Sequence, residues 1–278
     1  MTRLSISETT TFRWSFEDDV REYAMAGMSA IGLWRHKLSD YGTERARRLL
    51  DEAHLTPSHL SWAGGFTGSD GRSHCESVED AAEAIQIAGA LDCPTLLIYS
   101  GPRGGHTGNH ARRLFLSALT ELAPRAANAG VTLAIEPMHP GCAADWTFLT
   151  SLDETLCLLQ AINSPHVKMV LDTYHLGHEA RLIERLAAIV PQIAIVQLGD
   201  GRKPPRGEQN RCRLGEGAAP LREIIQALET YGYCGYYDVE LFGEDLEIAD
   251  YRSLLKHARE AYERLIAGAL PQADSSTC

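Results

Sequence analysis

Three acids and one amide recur at a single kind of position. Glu136 closes the run Ala134-Ile-Glu-Pro137, Asp172 closes Val170-Leu-Asp-Thr173, Gln197 closes Ile195-Val-Gln-Leu198, and Glu240 closes Tyr237-Asp-Val-Glu-Leu241. Each run is short and aliphatic or β-branched up to its polar residue, so the four groups stand where strands end. Carboxylates brought together raise one another's pKa, and a divalent cation is the simplest way to hold three of them at neutral pH. Three carboxylates and an amide oxygen form a hard donor set that suits Mn2+, with Mg2+ or Co2+ as alternatives, whereas zinc usually prefers imidazole or thiolate. A lone acid of this kind is more often a helix cap or a surface ion pair. Four at successive strand ends read as a metal site.

The elements that must carry them follow a simple alternation. Strands are expected at Leu4–Ser7, Ala30–Trp34, Ser58–Trp62, Thr95–Tyr99, Val131–Glu136, Val167–Asp172, Ile193–Gln197 and Tyr236–Glu240. Helical periodicity lies between them, at Phe16–Met25, Thr43–His54, Ser77–Leu91, Asn109–Asn128, Leu152–Ile162, Glu179–Ile189, Ala219–Thr230 and Leu246–Ile266. Runs such as Thr95-Leu-Leu-Ile-Tyr99 are continuously apolar, the pattern of a parallel sheet covered on both faces. Gly130 and Gly232 fit left-handed helix caps ahead of the next strand. The expectation is an α/β fold, a single (β/α)8 TIM barrel over residues 1–271, with a small polar tail at 272–278 that frays. A doubly wound open sheet would usually place a glycine-rich phosphate turn after its first strand, and Ser7-Glu-Thr-Thr-Thr11 is not one. In a barrel the ends of the last four strands converge on one mouth, where active sites are found.

Composition narrows the partner. The 278 residues carry 26 Lys and Arg against 37 Asp and Glu, a net charge of −11, with no basic tract to grip nucleic acid or an anionic membrane. The seven cysteines are odd in number and never spaced as Cys-x-x-Cys, so neither a disulfide framework nor a thiolate zinc site is signalled. With no signal-peptide core at the first residues and no apolar run of membrane length, the expected location is cytoplasmic, with no membrane partner.

The segments around Glu136, Asp172, Gln197 and Glu240 resemble the metal-site strands of the sugar isomerase/epimerase superfamily with a xylose-isomerase-like barrel, and the resemblance spans nearly the whole chain. Its members include hydroxypyruvate isomerase, the ketose 3-epimerases, and the inosose dehydratases and isomerases. The resemblance implies that these four residues bind the metal and that Glu136 and Glu240 are the catalytic acid and base. Most members carry His at the third position, and Gln197 is closer to the hydroxypyruvate isomerase pattern. The resemblance also implies that His175, three residues past Asp172, binds a substrate hydroxyl. An arginine from an R-x-x-x-G-x-G ending after the seventh strand often reaches the metal or substrate, and Arg213 or Arg202 is expected in that role. Barrels of this group are often dimers or tetramers.

Other residues are weaker substrate contacts. His106 sits in a glycine-flanked turn that could pass close to a ligand, and His139 follows Glu136 by three. Trp34 and Trp62 end the second and third strands and could stack on the apolar face of a sugar, with His36 nearby to bond a hydroxyl. Asp200, three residues past Gln197, is an acceptor placed behind the site. The acids of Phe242-Gly-Glu-Asp-Leu-Glu247 would repel a phosphate, so an unphosphorylated sugar or polyol is expected.

The leading reading is a divalent-metal-dependent isomerase or epimerase of a ketose or keto-polyol, acting by proton transfer through a metal-bound enediolate. The alternative is a metal-dependent lyase on a keto-sugar, an inosose or a 3-keto-glycoside, which shares the first proton abstraction. A nuclease resembling the family's DNA-repair branch would need a His-x-His after the seventh strand, where this chain has Gly201-Arg-Lys-Pro-Pro205. A binding protein that kept the barrel without turnover has no residue to recommend it.

Overall fold

The computed structural model describes residues 3–207 and 209–268, and the expected tail at 272–278 lies outside them. Eight strands form one closed, wholly parallel barrel in sequence order. They are β1 (Leu4–Ser7), β2 (Ala30–Trp34), β3 (Thr56–Gly64), β4 (Thr95–Tyr99), β5 (Thr132–Ile135), β6 (Val167–Asp172), β7 (Ile193–Leu198) and β8 (Tyr237–Val239). The α-helices that cover or connect them are α1 (Phe16–Met25), α2 (Arg35–Tyr41), α3 (Thr43–Ala53), α4 (His74–Ala90), α5 (Gly108–Ala129), α6 (Leu152–Ile162), α7 (Thr173–Leu176), α8 (Leu182–Ile189), α9 (Leu221–Thr230), α10 (Glu244–Glu247) and α11 (Tyr251–Ala267).

All eight expected strands form, with small shifts of their ends. β3 runs longer than Ser58–Trp62 at both ends, and Glu136 and Glu240 fall one residue beyond β5 and β8 rather than within them. Helix starts are set by caps. The Ser73 side chain accepts from the Glu76 N–H while the Glu76 side chain accepts from the Ser73 N–H, so α4 begins at His74 instead of Ser77. Asp250 caps α11, separating it from the short α10 within what periodicity reads as one helix. The short α2 and α7, each starting directly at a strand end, are not expected from periodicity because one or two turns carry too little of it.

The main core lies between the strands and the helix ring, where residues such as Ile31, Leu96, Phe115, Leu133, Leu171 and Leu254 are excluded from water. Inside the barrel the β4 to β7 side is apolar, with Leu97, Ala134, Val170 and Ile195 packed together. The opposite side is polar, holding Ser5, Ser58, His59 and Asp238, all buried. Register sets Asp172 beside Gln197 and Gln197 beside Asp238. Register partners in parallel strands point to the same face, so all three look into the barrel. Among the described residues no helix is long and apolar enough to cross a membrane.

Candidate functional site

The C-terminal ends of β2 to β5 and of β8, with the loops that follow, wall a cavity of about 660 Å³ whose lining includes Thr9, Tyr99, Glu136, Arg211 and Glu240. Glu136 is buried just past β5, with Oε2 lacking any hydrogen-bond partner. Asp172 ends β6 and caps α7, its Oδ1 accepting from the Tyr174 N–H at 2.7 Å. That one turn carries His175 back over the site, and its Nε2 stands 3.7 Å from Glu136 Oε1 and 3.9 Å from Asp172 Oδ2. Glu136, Asp172 and His175 offer ligand atoms that lie within 4.8 Å of one another. Gln197 is buried on β7, and neither its amide oxygen nor its nitrogen has a hydrogen-bond partner.

Charge in this pocket is managed by one cation. Burial and the charges of Asp172 and Glu240 push the Glu136 carboxyl well above the usual carboxylate range, with Tyr99 and Arg211 pulling the other way. Burial also raises Glu240, but the adjacent Arg211 guanidinium opposes it. Arg211 Nη2 lies 2.9 Å from Asp172 Oδ2 and 3.0 Å from Glu240 Oε2. Its guanidinium is sandwiched between the rings of Tyr174 and Phe242, 4.7 and 4.8 Å from their centroids. Thr9 Oγ1 donates to Glu240 Oε1 at 3.2 Å, and the Thr10 hydroxyl accepts from the Leu241 N–H, so the turn after β1 seats the acid after β8.

His175 is buried, and burial lowers its pKa to about 3, so its ring is neutral. The His139 N–H donates to its Nδ1 at 3.4 Å, and the Cys142 sulfur lies 3.6 Å from the same nitrogen with its S–H turned to the His139 carbonyl. A nitrogen that accepts is unprotonated, which puts the ring proton on Nε2, the atom facing Glu136 and Asp172. His175 is thereby a hydrogen-bond donor into the cavity. As a metal ligand through Nε2 it would need its proton on Nδ1, where the His139 N–H donates. Glu136, Asp172 and His175 are the described residues whose ligand atoms lie close enough to share an ion, and the unpaired Glu136 Oε2 and Gln197 amide oxygen are further free acceptors.

The remaining expected residues divide. Trp34 and Trp62 line the cavity, with their ring centroids 6.2 Å apart and nearly stacked. His36 lies outside it, 5.3 Å from the Trp34 ring. His139 contributes its backbone to His175, while its ring accepts from the Gly141 N–H at 3.0 Å. His106 braces the loop after β3 by pairing with the Thr67 carbonyl at 3.0 Å. The expected arginine is corrected. Arg202 is on the surface, paired with Glu216 at 3.5 Å, and the member of this loop that lines the cavity is Arg211, not Arg202 or Arg213. A signal existed, because in R-x-x-x-G-x-G the spacing that ends on Gly215 and Gly217 begins at Arg211.

Asp200 organises that loop. Its carboxylate accepts from the N–H groups of Gly201, Gly215, Gly217 and Ala219 at 2.9 to 3.2 Å. A Cβ at position 217 would fall 1.9 Å from Asp200 Oδ1, which is why glycine stands there. Tyr99, Trp146 and Thr9 also line the cavity without having been singled out. Tyr99 ends β4 as the acids end later strands, but Trp146 sits in the long loop after β5, where no local pattern points inward.

A family model described as a xylose isomerase-like TIM barrel matches residues 20–265. The chain is 23% identical over 238 residues to the inosose isomerase of Halalkalibacterium halodurans, covering 83% of this chain and 82% of that one. It is 25% identical over 240 residues to the 2-oxo-tetronate isomerase of Haemophilus influenzae, covering 81% and 87%. Among solved structures, protein SMc04130 from Sinorhizobium meliloti 1021 superposes with a TM-score of 0.87 at 26% identity, over 94% of this chain and 98% of that one.

Proposed function

The chain belongs to the xylose isomerase-like TIM barrel family, and on that premise we propose that it is a divalent-metal-dependent isomerase or epimerase of an unphosphorylated ketose or keto-polyol. The observation that carries the reading is the convergence of Glu136, Asp172, Gln197 and Glu240 at one barrel mouth, with a buried amide and a carboxylate oxygen that no group among the described residues satisfies. The isomerase activities named for two relatives support the reaction class. The four oxygen donors suit Mn2+, and a bound cation would polarise the substrate carbonyl as a Lewis acid and make the α C–H more acidic.

The protein's own groups supply the rest. Glu240, whose carboxyl is raised by burial but pulled back by the neighbouring Arg211, takes the α-proton as general base, and Glu136, held high by burial and adjacent charge, returns a proton. Return to the opposite face of the same carbon is epimerisation, and return to the neighbouring carbon is isomerisation. The Nε2–H of His175 hydrogen-bonds a substrate hydroxyl, and the Arg211 guanidinium stabilises negative charge developing on the enediolate. Cytoplasmic placement belongs to the same proposal.

Proton NMR of candidate ketoses incubated in D2O with the Mn2+-supplemented protein, recorded after chelation, tests it. The expected result is deuterium at the α carbon with the β substituent retained, and loss of that exchange in Glu240→Gln with the melting temperature preserved. Expulsion of the β substituent would replace isomerisation by elimination. Unaltered exchange in Glu240→Gln would sink the acid/base assignment.

A further inference from the structure

A second cavity, of about 850 Å³, opens beside the first over the ends of β2 and β3 and reaches out between α2 and α4. The two share Trp34, Trp62, Tyr99, Asp145 and Trp146, so they meet along an aromatic wall. A pocket of a few hundred Å³ already encloses a drug-sized ligand, and the cavity at the carboxylates therefore has room for a monosaccharide without any of the outer space.

The wall is built as a platform. The Trp146 ring stands edge-on to Trp62 at 5.3 Å and to Tyr99 at 5.7 Å, and with Trp34 stacked near Trp62 the three indoles form one continuous apolar surface. Trp146 nevertheless keeps 37% of its surface exposed, which leaves a large apolar face of that wall in water. The charges around it are chosen against anions. Arg35 is held by Asp80 in a two-pronged pair at 3.0 and 3.1 Å, and Arg72 is shared between Asp70 and Asp80 at 2.6 and 3.0 Å. Both arginines are thus neutralised, while Glu83 and Asp145 remain exposed on the lining. The outer cavity has a net negative lining that rejects phosphate and carboxylate, and an aromatic wall suited to a neutral ring.

We propose that this cavity is a second subsite and that the substrate is a glycoside, a keto-sugar at the carboxylates linked to a neutral sugar or aromatic ring lying against Trp34, Trp62 and Trp146. The proposal rests on the keto-sugar reading above and deepens it by naming the substrate class. It requires that the linked ring contribute to binding, which a free monosaccharide enzyme would not show.

Isothermal titration of the Mn2+-supplemented protein with matched methyl and 4-nitrophenyl 3-keto-glycosides of the gluco and galacto series reads this directly, with unlinked 4-nitrophenol as the control. The expected result is roughly tenfold tighter binding of the aryl member of a pair, in line with one aromatic contact plus apolar burial, and weaker binding of unlinked 4-nitrophenol. Trp146→Ala removes the platform, and Ser39→Trp, on an exposed turn of α2 that lines the outer cavity alone, fills it; in both the aryl-to-methyl ratio falls toward one. A ratio near one in the wild-type protein, a ratio that survives both substitutions, or no binding by any glycoside overturns the subsite. Ketose exchange in D2O is scored separately, so exchange without the ratio removes only the subsite, and the ratio without exchange removes the reaction assigned to the inner cavity.

Discussion

Arg211 grips Glu240 at both ends of the residue: Nη2 lies 3.0 Å from the carboxylate Oε2, and Nη1 donates to the Glu240 carbonyl at 3.2 Å. The same Nη2 reaches Asp172 Oδ2, and the Arg211 N–H donates to the Phe242 carbonyl at 3.0 Å. A single planar cation therefore fixes the orientation of one acid and balances the charge of two, with all three side chains out of water. Lysine could supply the charge but not the fork.

Arg211→Met should be costly for that reason. Removing one partner of a buried ion pair leaves uncompensated charge and typically costs about 3–5 kcal/mol. The melting temperature in EDTA is expected to fall by roughly 10 °C, at about 2–4 °C per kcal/mol for a chain of this size. Addition of Mn2+ should then stabilise the variant more than the wild-type protein, because the cation takes over the balancing of Asp172 and Glu240. Equal melting temperatures in EDTA would show that the pair contributes nothing.

Thr9→Val tests the seating of Glu240 without changing shape. The substitution deletes only the hydroxyl that donates to Oε1 at 3.2 Å, and hydrogen bonds to charged groups contribute about 1.5–3 kcal/mol. The expected outcome is an α-proton exchange rate lower by at least about tenfold, with KM little changed and the melting temperature lowered by roughly 3–12 °C. A rate equal to wild type would remove Thr9 from the positioning of the base.

The strand-end acids were legible because a buried parallel strand tolerates polar groups only where its apolar run stops, so Glu136, Asp172, Gln197 and Glu240 announced themselves. Asp238 is equally readable, being two residues before Glu240 and so on the same inward face. Arg211 is marked by the spacing to Gly215 and Gly217, but neither its contacts nor the position of Trp146 is a local fact. Their placement depends on loops closed by Asp200 and by bridges such as Gly101 to Thr147, contacts made between residues far apart in sequence. The one-turn α7 shows the same limit, since it starts from the cap supplied by Asp172 rather than from any periodicity of its own.

His59 makes the polar side of the barrel sensitive to acid. Burial alone lowers its pKa from 6.5 to about 3, so the folded protein holds the ring neutral while the unfolded chain protonates it. The unfolded state binds the extra proton between those values, so stability is full above about 6.5 and is lost as the pH falls toward 3, at up to about 1.4 kcal/mol per unit. Denaturant titrations across that window should show a shallower slope of stability against pH for His59→Gln than for the wild-type protein. Parallel slopes would mean that His59 is charged or solvated in the folded state.

Asp200→Asn separates the loop from the chemistry. Oδ1 accepts from Gly201 and Ala219 and Oδ2 from Gly215 and Gly217, so an amide keeps one pair of acceptor contacts and turns an NH2 toward the other two donors. The carboxylate's partners are the N–H groups of its own loop, and an effect on turnover must pass through the loop that carries Arg211. Two unsatisfied N–H groups predict a stability loss of roughly 2–4 kcal/mol and faster tryptic cleavage at Arg202 and Arg206. The exchange rate should fall together with the cleavage resistance, since an untethered loop no longer presents Arg211 to Asp172 and Glu240. Wild-type cleavage with wild-type exchange would instead show that Arg211, through its own contacts with Glu240, Phe242 and Tyr174, holds the loop and not the reverse.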